Sequence, residues 1–330
     1  MAEVTENSFS QVEFTGALKD LLTLSGLAPI DIQERNYWFL RTQGGEYFDE
    51  FRLQEYIAID WDDVPCKVPE DRTEQLMDNL KVKYKQATRV LNQVLRFCTE
   101  MKKGDIVIIP SSGSSLLAFG KILEDDIYEY KLTDEEFEDN KCPYRRRRRV
   151  KWLTAGAKNM IDPKLFAFFR NQQALANANE YAEFIERAIN PFYIKNGIAH
   201  LNLSVKIENS PKATDIPYYI LGIVSRVDGL GKELSIAFPD VESRINVQSD
   251  GIIEFFGNPL TIFSIGLIVI SLCGGDMSVC GFKLSTKGLP KLIDSIVSAY
   301  LKVDEASMIK KEKLAEIQER LKIEDPRDDK

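Results

Sequence analysis

"CPYRRRRRVKWL", Cys142 to Leu153, sets five consecutive arginines in a chain whose formal net charge is −8. Such a run is either a loose basic tether or a strand that shows its charges on two faces. The flanks favour the strand: Pro143-Tyr144 leads in, and Val150-Lys151-Trp152-Leu153 continues with β-branched and aromatic residues. Side chains alternate along a strand, so Arg145, Arg147 and Arg149 share one face and Arg146 and Arg148 the other. The segment Glu124 to Asp139 just upstream carries nine carboxylates. One arginine set is expected to meet these acids, and Arg145, Arg147 and Arg149 are expected to contact phosphates.

The remaining composition limits what such a strand serves. A chain of 330 residues, 44% hydrophobic and 28% charged, has the material of a soluble globular protein of about two domains. Acids outnumber bases by 51 to 43, which excludes a uniformly basic surface and leaves only local contact with nucleic acid. Five cysteines are widely spaced with no C-x-x-C pair. That pattern predicts a reducing compartment and argues against a zinc site. The first residues lack the basic start and apolar core of a secretory signal, so a cytoplasmic location is expected.

Working outward from the run, "NYWFLRT" (Asn36 to Thr42), "YIAIDW" (Tyr56 to Trp61), "GDIVIIP" and "SLLAFGKIL" read as strands. "SSGSS" is the loop between the last two. A three-four apolar spacing from Arg72 to Met101 predicts one amphipathic helix. "TGALKDLLTLSGLAP" reads as a short leader helix, and Asp162 to Ile189 as a helix with Asp162 as N-cap and Pro163 at its first position. Beyond Pro191 the expected strands are "AHLNLSVKIE", "YYILGIVSRV", "KELSIAFP", "RINVQS" and "GIIEFF", followed by two apolar helices and a charged one. The organisation is therefore α+β, in four parts: a leader over 1–35, a first domain over 36–190, a C-terminal α+β domain with antiparallel strands over 191–303, and a charged helical tail over 304–330.

The order "NYWFLRTQGGEYFDEF", "YIAIDW", "MKKGDIVIIPSSGSSLLAFGKILED" and "YRRRRRVKWL" resembles the EVE-like branch of the PUA-like superfamily. The resemblance rests on Tyr37-Trp38, Trp61 and Lys103-Gly104-Asp105, and it covers about 36–153. It implies a small β-barrel with flanking helices, of the kind found in RNA-binding proteins and in modification-dependent restriction systems. In that family a flipped base sits between aromatic and polar side chains, because an extruded base needs a flat partner to recover lost stacking. Carried onto this chain, Trp38 and Trp61 would stack, Ser111 and Ser112 would bond the base edge, and Arg41 would hold a phosphate.

Other motifs are weaker. "DGLGKE" (Asp228 to Glu233) lacks P-loop spacing and reads as a hairpin turn. The acid-x-Lys steps at Asp162 and Asp328 lie outside any expected core strand, which argues against a nuclease. His200 alternates with apolar residues as a structural strand position, and no second histidine supports a serine nucleophile. No catalytic residue, cofactor or metal is therefore assigned. Pro259 to Cys273 is uncharged, begins after an Asn258 cap and ends at Gly274-Gly275, and is shorter than the roughly 20 residues that span a bilayer. Two functions follow. One is a non-catalytic sensor that reads a modified or flipped base in DNA or RNA, for phage defence, with a homo-oligomer or an effector protein as partner. The other is a membrane-associated effector that senses a nucleotide-type ligand and contacts a bilayer through 259–273.

Overall fold

The computed structural model describes residues 10–67, 73–157, 162–170, 173–206, 212–247, 251–273 and 290–327. Gly274-Gly275 and the acid-x-Lys step at Asp328 lie outside them. The chain forms two compact units, one of residues 34–189 and one that joins the N-terminal residues up to Gln33 to those from Asn190 onward. Helix α1 (Gln11–Leu24) and the two-residue strand β1 (Ile30–Asp31) belong to this second, split unit. The expected leader is thus core: Phe14, Leu18, Leu21 and Leu22 of α1 are buried with residues of the C-terminal half. Its start is fixed by a capping box between Ser10 and Glu13.

The central unit runs through β2 (Tyr37–Leu40), α2 (Phe48–Leu53), β3 (Tyr56–Ile59), α3 (Thr73–Lys83), α4 (Ala87–Leu95), β4 (Ile106–Pro110), β5 (Leu116–Ile122), β6 (Tyr128–Glu129), α5 (Asp134–Glu138), β7 (Arg146–Ala157), β8 (Leu175–Asn177) and α6 (Ala182–Ile189). Its sheet has the order β3-β7-β5-β4-β2-β8, with β6 paired to β7. The β2–β4 pair is parallel and the others antiparallel. Among the described residues the hydrogen-bonded path ends at β3 and β8, so the strands curve into a half-barrel where a small β-barrel was expected. The twelve-residue β7 lies between β3 and β5, one strand in from the β3 edge, with a register shift opposite Phe119/Gly120. A Cβ at Gly120 would lie 2.3 Å from Val150 Cγ1, so a side chain is excluded there.

Two helices expected to be continuous are broken. The Arg72 to Met101 segment divides into α3 and α4, and α4 ends in a π turn over Arg96–Glu100. The segment beginning at Asp162 is a 3-10 turn over Pro163–Arg170, then β8, then α6. β8 forms because its backbone completes the edge of β2, from Leu40↔Leu175 to Trp38↔Asn177. The buried Gln93 Oε1 accepts the N–H groups just before and at its start, from Ala174 at 2.6 Å and Leu175 at 3.1 Å.

The arginine run is a strand, and its side chains act mostly inward. Arg146, Arg147 and Arg148 are buried. Arg148 is 0% exposed and donates to four backbone carbonyls: Phe97 at 2.7 Å, Cys98 at 3.1 Å, Glu124 at 3.1 Å and Asp125 at 2.9 Å. Burial lowers its pKa. A buried guanidinium is tolerated because its fork of N–H donors is satisfied. The acidic segment thus meets Arg148 through its main chain, not its carboxylates.

The split unit continues with β9 (Phe192–Lys195), β10 (Ile198–Val205), α7 (Asp215–Leu234), β11 (Val241–Val247), β12 (Gly251–Gly257), α8 (Pro259–Leu272), α9 (Pro290–Ala306) and α10 (Lys311–Arg320). Its sheet has the order β1-β9-β10-β12-β11, antiparallel except at β1–β9. "YYILGIVSRV", "DGLGKE" and the start of "KELSIAFP", expected as strands and a turn, are one helix, α7. Glycines in this segment weaken the helical pattern, and two of them lie where other helices come close. A Cβ at Gly222 would meet Leu314 at 2.6 Å, and one at Gly229 would meet Val303 at 2.7 Å. The tail stripe Leu314, Ile317 and Leu321 is buried in the same core, as are all residues of α8 from Leu260 to Leu272. Asn258 caps α8 by accepting Leu260 N–H at 2.9 Å, with Pro259 in the first turn. His200 is a strand residue, with Nδ1 2.9 Å from Glu254 Oε1.

If Arg148 satisfies four carbonyls from inside the core, Arg148→Ala lowers the unfolding free energy by roughly 3 kcal/mol, and Arg149→Ala, on the exposed face, by less than about 0.5 kcal/mol. Urea denaturation followed by tryptophan fluorescence measures both. Equal losses would contradict the inward role.

Candidate nucleic-acid interface

One end of the half-barrel holds a cleft of about 440 Å³. Leu40 and Arg41 reach it from the end of β2, and Ala58, Ile59, Asp60 and Trp61 from the end of β3. Gln86, Arg89, Val90 and Gln93 come from the α4 segment, with Gln43, Gly44, Tyr144 and Ala174 on the intervening loops. The lining mixes apolar side chains (Leu40, Ala58, Ile59, Val90) with two aromatic rings, two guanidiniums and one carboxylate.

Trp61 sits in this cleft on strained backbone. Its φ is +72°, a left-handed conformation that bulky residues rarely adopt and that costs about 1–2 kcal/mol. The surroundings hold it there. Trp61 N–H donates to Asp60 Oδ1 at 2.6 Å, and its carbonyl accepts Val64 N–H at 2.9 Å. Arg146 reaches out of β7 to donate to the Trp61 carbonyl at 3.3 Å and the Asp62 carbonyl at 2.9 Å. Arg145 adds its backbone N–H to the Asp62 carboxylate at 3.2 Å. On the other side Asp63 accepts Lys83 Nζ and the Tyr84 hydroxyl, both at 2.7 Å, and these bonds hold its carboxyl below the ordinary aspartate range. Val64 is fully buried against α3 and α4, and Cys66 is disulfide-bonded to Cys98 in the turn that ends α4. A disulfide is not what the expected reducing compartment implies for this pair, while Cys142 and Cys273 are free thiols.

The opposite wall is equally fixed. Gln93, besides its bonds to the backbone before β8, donates to the Arg89 carbonyl at 3.1 Å, and Arg89 donates to Gln86 Oε1 at 2.9 Å. Tyr144 meets Tyr47 edge-on at 5.5 Å. Burial, and then the nearby Asp60, raise the Tyr144 hydroxyl well above the ordinary tyrosine value.

Of the residues expected to form a site, Arg41 and Trp61 meet in this cleft. Trp38 does not: it is 1% exposed, its indole N–H donates to Asp105 Oδ2 at 2.8 Å, and no face is open for stacking. Asp105 also accepts the N–H groups of Asn36 and Lys102, so the Trp38 contact fastens the start of the sheet. Ser111 and Ser112 do not line the cleft. Ser111 Oγ instead accepts Leu116 N–H at 2.9 Å and closes its own loop. That loop presses on Gly45, where a Cβ would lie 2.1 Å from Ser112 N, and so supports the lining residues Gln43 and Gly44 from behind.

Arg147, expected at a phosphate, is buried. Its guanidinium lies between the rings of Tyr56, 4.2 Å away, and Tyr130, 4.1 Å away, and donates to the carbonyls of Tyr144 and Cys142. It shares a face with Arg145 and Arg149 as alternation requires, but the segment at β6 covers it. Arg145 and Arg149 are exposed, with acids close by: Glu129 at 3.1 Å and Glu124 at 3.9 Å. Asp60, Tyr144, Arg89 and Gln93 were not singled out in the sequence. Tyr144 stood next to the run, and its neighbour Cys142 is buried with a thiol pushed up to about 12. Among the described residues no group of three His, Cys, Asp or Glu side chains is placed to hold a metal ion.

A family model described as a domain of unknown function (DUF8426) matches residues 38–173. That span contains every residue lining the cleft except Ala174. Comparison with curated proteins and with solved structures gives no match.

Because the Cys66–Cys98 bond closes a segment of sequence separation 32, its reduction is expected to destabilise the central unit by about 3 kcal/mol. Non-reducing peptide mapping, paired with denaturation with and without a dithiol reductant, checks this. Free thiols at both positions in the untreated protein would refute it.

Proposed function

We propose that the chain is a nucleic-acid-binding protein with no catalytic centre of its own, in which the cleft at Trp61 receives a single unstacked base. The observation that carries this reading is the pairing of a strained, firmly anchored Trp61 with Tyr144 and the guanidiniums of Arg41 and Arg89 around one cleft. Strain of this kind persists only where the surroundings over-determine it, and it concentrates at binding sites. An aromatic wall recovers the stacking a base loses on leaving its strand, and arginines suit the adjoining phosphate or a base carbonyl. The volume suits a base or a nucleoside.

The PUA-like, EVE-like resemblance supports the same reading, and the open half-barrel with Trp61 at a strand end accords with it. Recognition of a modified base, in defence against phage, is the setting we propose for it. The split unit serves in this proposal as the assembly or effector-contacting part. Contact with a bilayer would require α8 to leave a core in which it is buried on all sides, and no helix among the described residues is long and apolar enough to cross a membrane.

Titration of labelled single-stranded DNA and RNA by fluorescence anisotropy tests the cleft. Trp61→Ala and Tyr144→Ala are each expected to weaken binding by roughly tenfold, the scale of one lost base stack. Arg41→Ala and Arg89→Ala are each expected to reduce the slope of log affinity against log salt by about one if each meets a phosphate. The Arg145→Ala, Arg149→Ala double variant is expected to bind almost as the wild type does. Binding unaffected by Trp61→Ala, or lost only in the double variant, would refute the cleft as the site.

A further inference from the structure

The cleft contains a group that phosphate binding does not explain. Asp60 lines it next to Trp61, in the same cavity as Arg41 and Arg89. A carboxylate accepts hydrogen bonds, cannot donate them, and repels a phosphate placed beside it. This part of the cleft therefore suits the donor edge of a ligand and not its charged backbone.

The other polar side chains narrow the choice. Gln93 is committed to the protein through both ends of its amide, and Gln86 Oε1 accepts Arg89. The guanidiniums of Arg41 and Arg89 only donate. Asp60 spends one acceptor position on the Trp61 N–H, and a carboxylate has about four. It is the one carboxylate among the lining residues, held to the backbone of the residue whose ring would stack on the base. Its charge is also felt at Tyr144, the second aromatic group of the lining.

We propose that Asp60 is the specificity-determining residue of this cleft and that its ligand is a base bearing an exocyclic amino group. This rests on the base-binding reading above. The amino N–H donates to the Asp60 carboxylate while the base stacks on the Trp61 ring. Cytosine presents N4–H₂ where uracil presents O4, and adenine presents N6–H₂ where thymine presents O4. A carbonyl facing Asp60 sets acceptor against anionic acceptor, so uracil and thymine lose the bond and gain a repulsion. A site built around a hydrogen bond rejects the analogue that lacks it more strongly than an apolar pocket rejects a missing methylene.

Cytosine and uracil differ at this one group, which makes them the sharpest probe. A short oligothymidylate with one central cytosine is compared with the same strand carrying one central uracil, by anisotropy, and the pair is repeated in ribonucleotides. Wild-type protein is expected to favour the cytosine strand by about tenfold, the scale of a hydrogen bond to a charged group. Asp60→Asn keeps an oxygen for the Trp61 N–H and offers an N–H₂ to O4, so D60N is expected to bind both strands alike or to favour uracil. Wild-type protein that binds both equally, with both lost in Trp61→Ala, would leave the base cleft standing and overturn the role of Asp60. Absence of binding to every strand, or binding indifferent to Trp61→Ala, would overturn the base-binding reading and this proposal with it. The wild-type comparison decides the matter even if D60N fails to fold.

Discussion

Guanidinium groups buried beneath β7, donating to backbone carbonyls, are the constraint on which the central unit depends. Arg146, Arg147 and Arg148 together reach the carbonyls of Trp61, Asp62, Phe97, Cys98, Glu124, Asp125, Cys142 and Tyr144. These acceptors lie in loops and turns that no sheet ladder satisfies. An unpaired buried carbonyl is costly, and a rigid fork of donors is an economical way to satisfy several from one strand. Lysine in the same positions would supply a point charge without the fork. The three central arginines thus serve loops on both faces of one strand, while Arg145 and Arg149 face surface acids.

The same bonds place the cleft. Arg146 ties the Trp61 turn to the sheet, Arg147 ties Tyr144, and Arg148 ties the turn after α4 that carries Cys98. Trp61 and Tyr144, the two aromatic groups of the cleft, are thus held by consecutive basic residues that do not themselves line it. In the base-binding reading proposed above, a preorganised wall would lower the ordering cost of binding and so offset the strain of a left-handed tryptophan. The acidic balance of the chain fits this arrangement, since positive charge is used inside and only Arg41 and Arg89 bring it to the cleft.

Much of this fold was legible in the sequence. Alternation showed β7 as a strand and gave the shared face of Arg145, Arg147 and Arg149, and the aromatic β2 and apolar β4 and β5 read correctly. Alternation does not say what covers a face, so Arg147 was expected in solvent when Tyr56 and Tyr130 enclose it. Trp38 was misassigned for the same reason: its partner Asp105 is distant in the chain. Helix α7 was missed because Gly222 and Gly229 weaken a helical signal locally, and the close approach of Leu314 and Val303 that calls for them is tertiary. Trp61 and Arg41 were visible at strand ends. Asp60 and Arg89 were ordinary polar residues until the fold brought them to one cleft.

The central claim is that the arginine strand works inward, fastening the Trp61 turn, and hydrogen exchange resolved to the 61–67 segment tests it most directly. Arg146→Met removes the two donors to the Trp61 and Asp62 carbonyls while leaving an apolar side chain of similar length. Exchange across 61–67 is expected to speed up in that variant and to stay at the wild-type rate when Arg145 and Arg149 are replaced together. Unchanged exchange in Arg146→Met, or equal acceleration in both variants, would contradict the account.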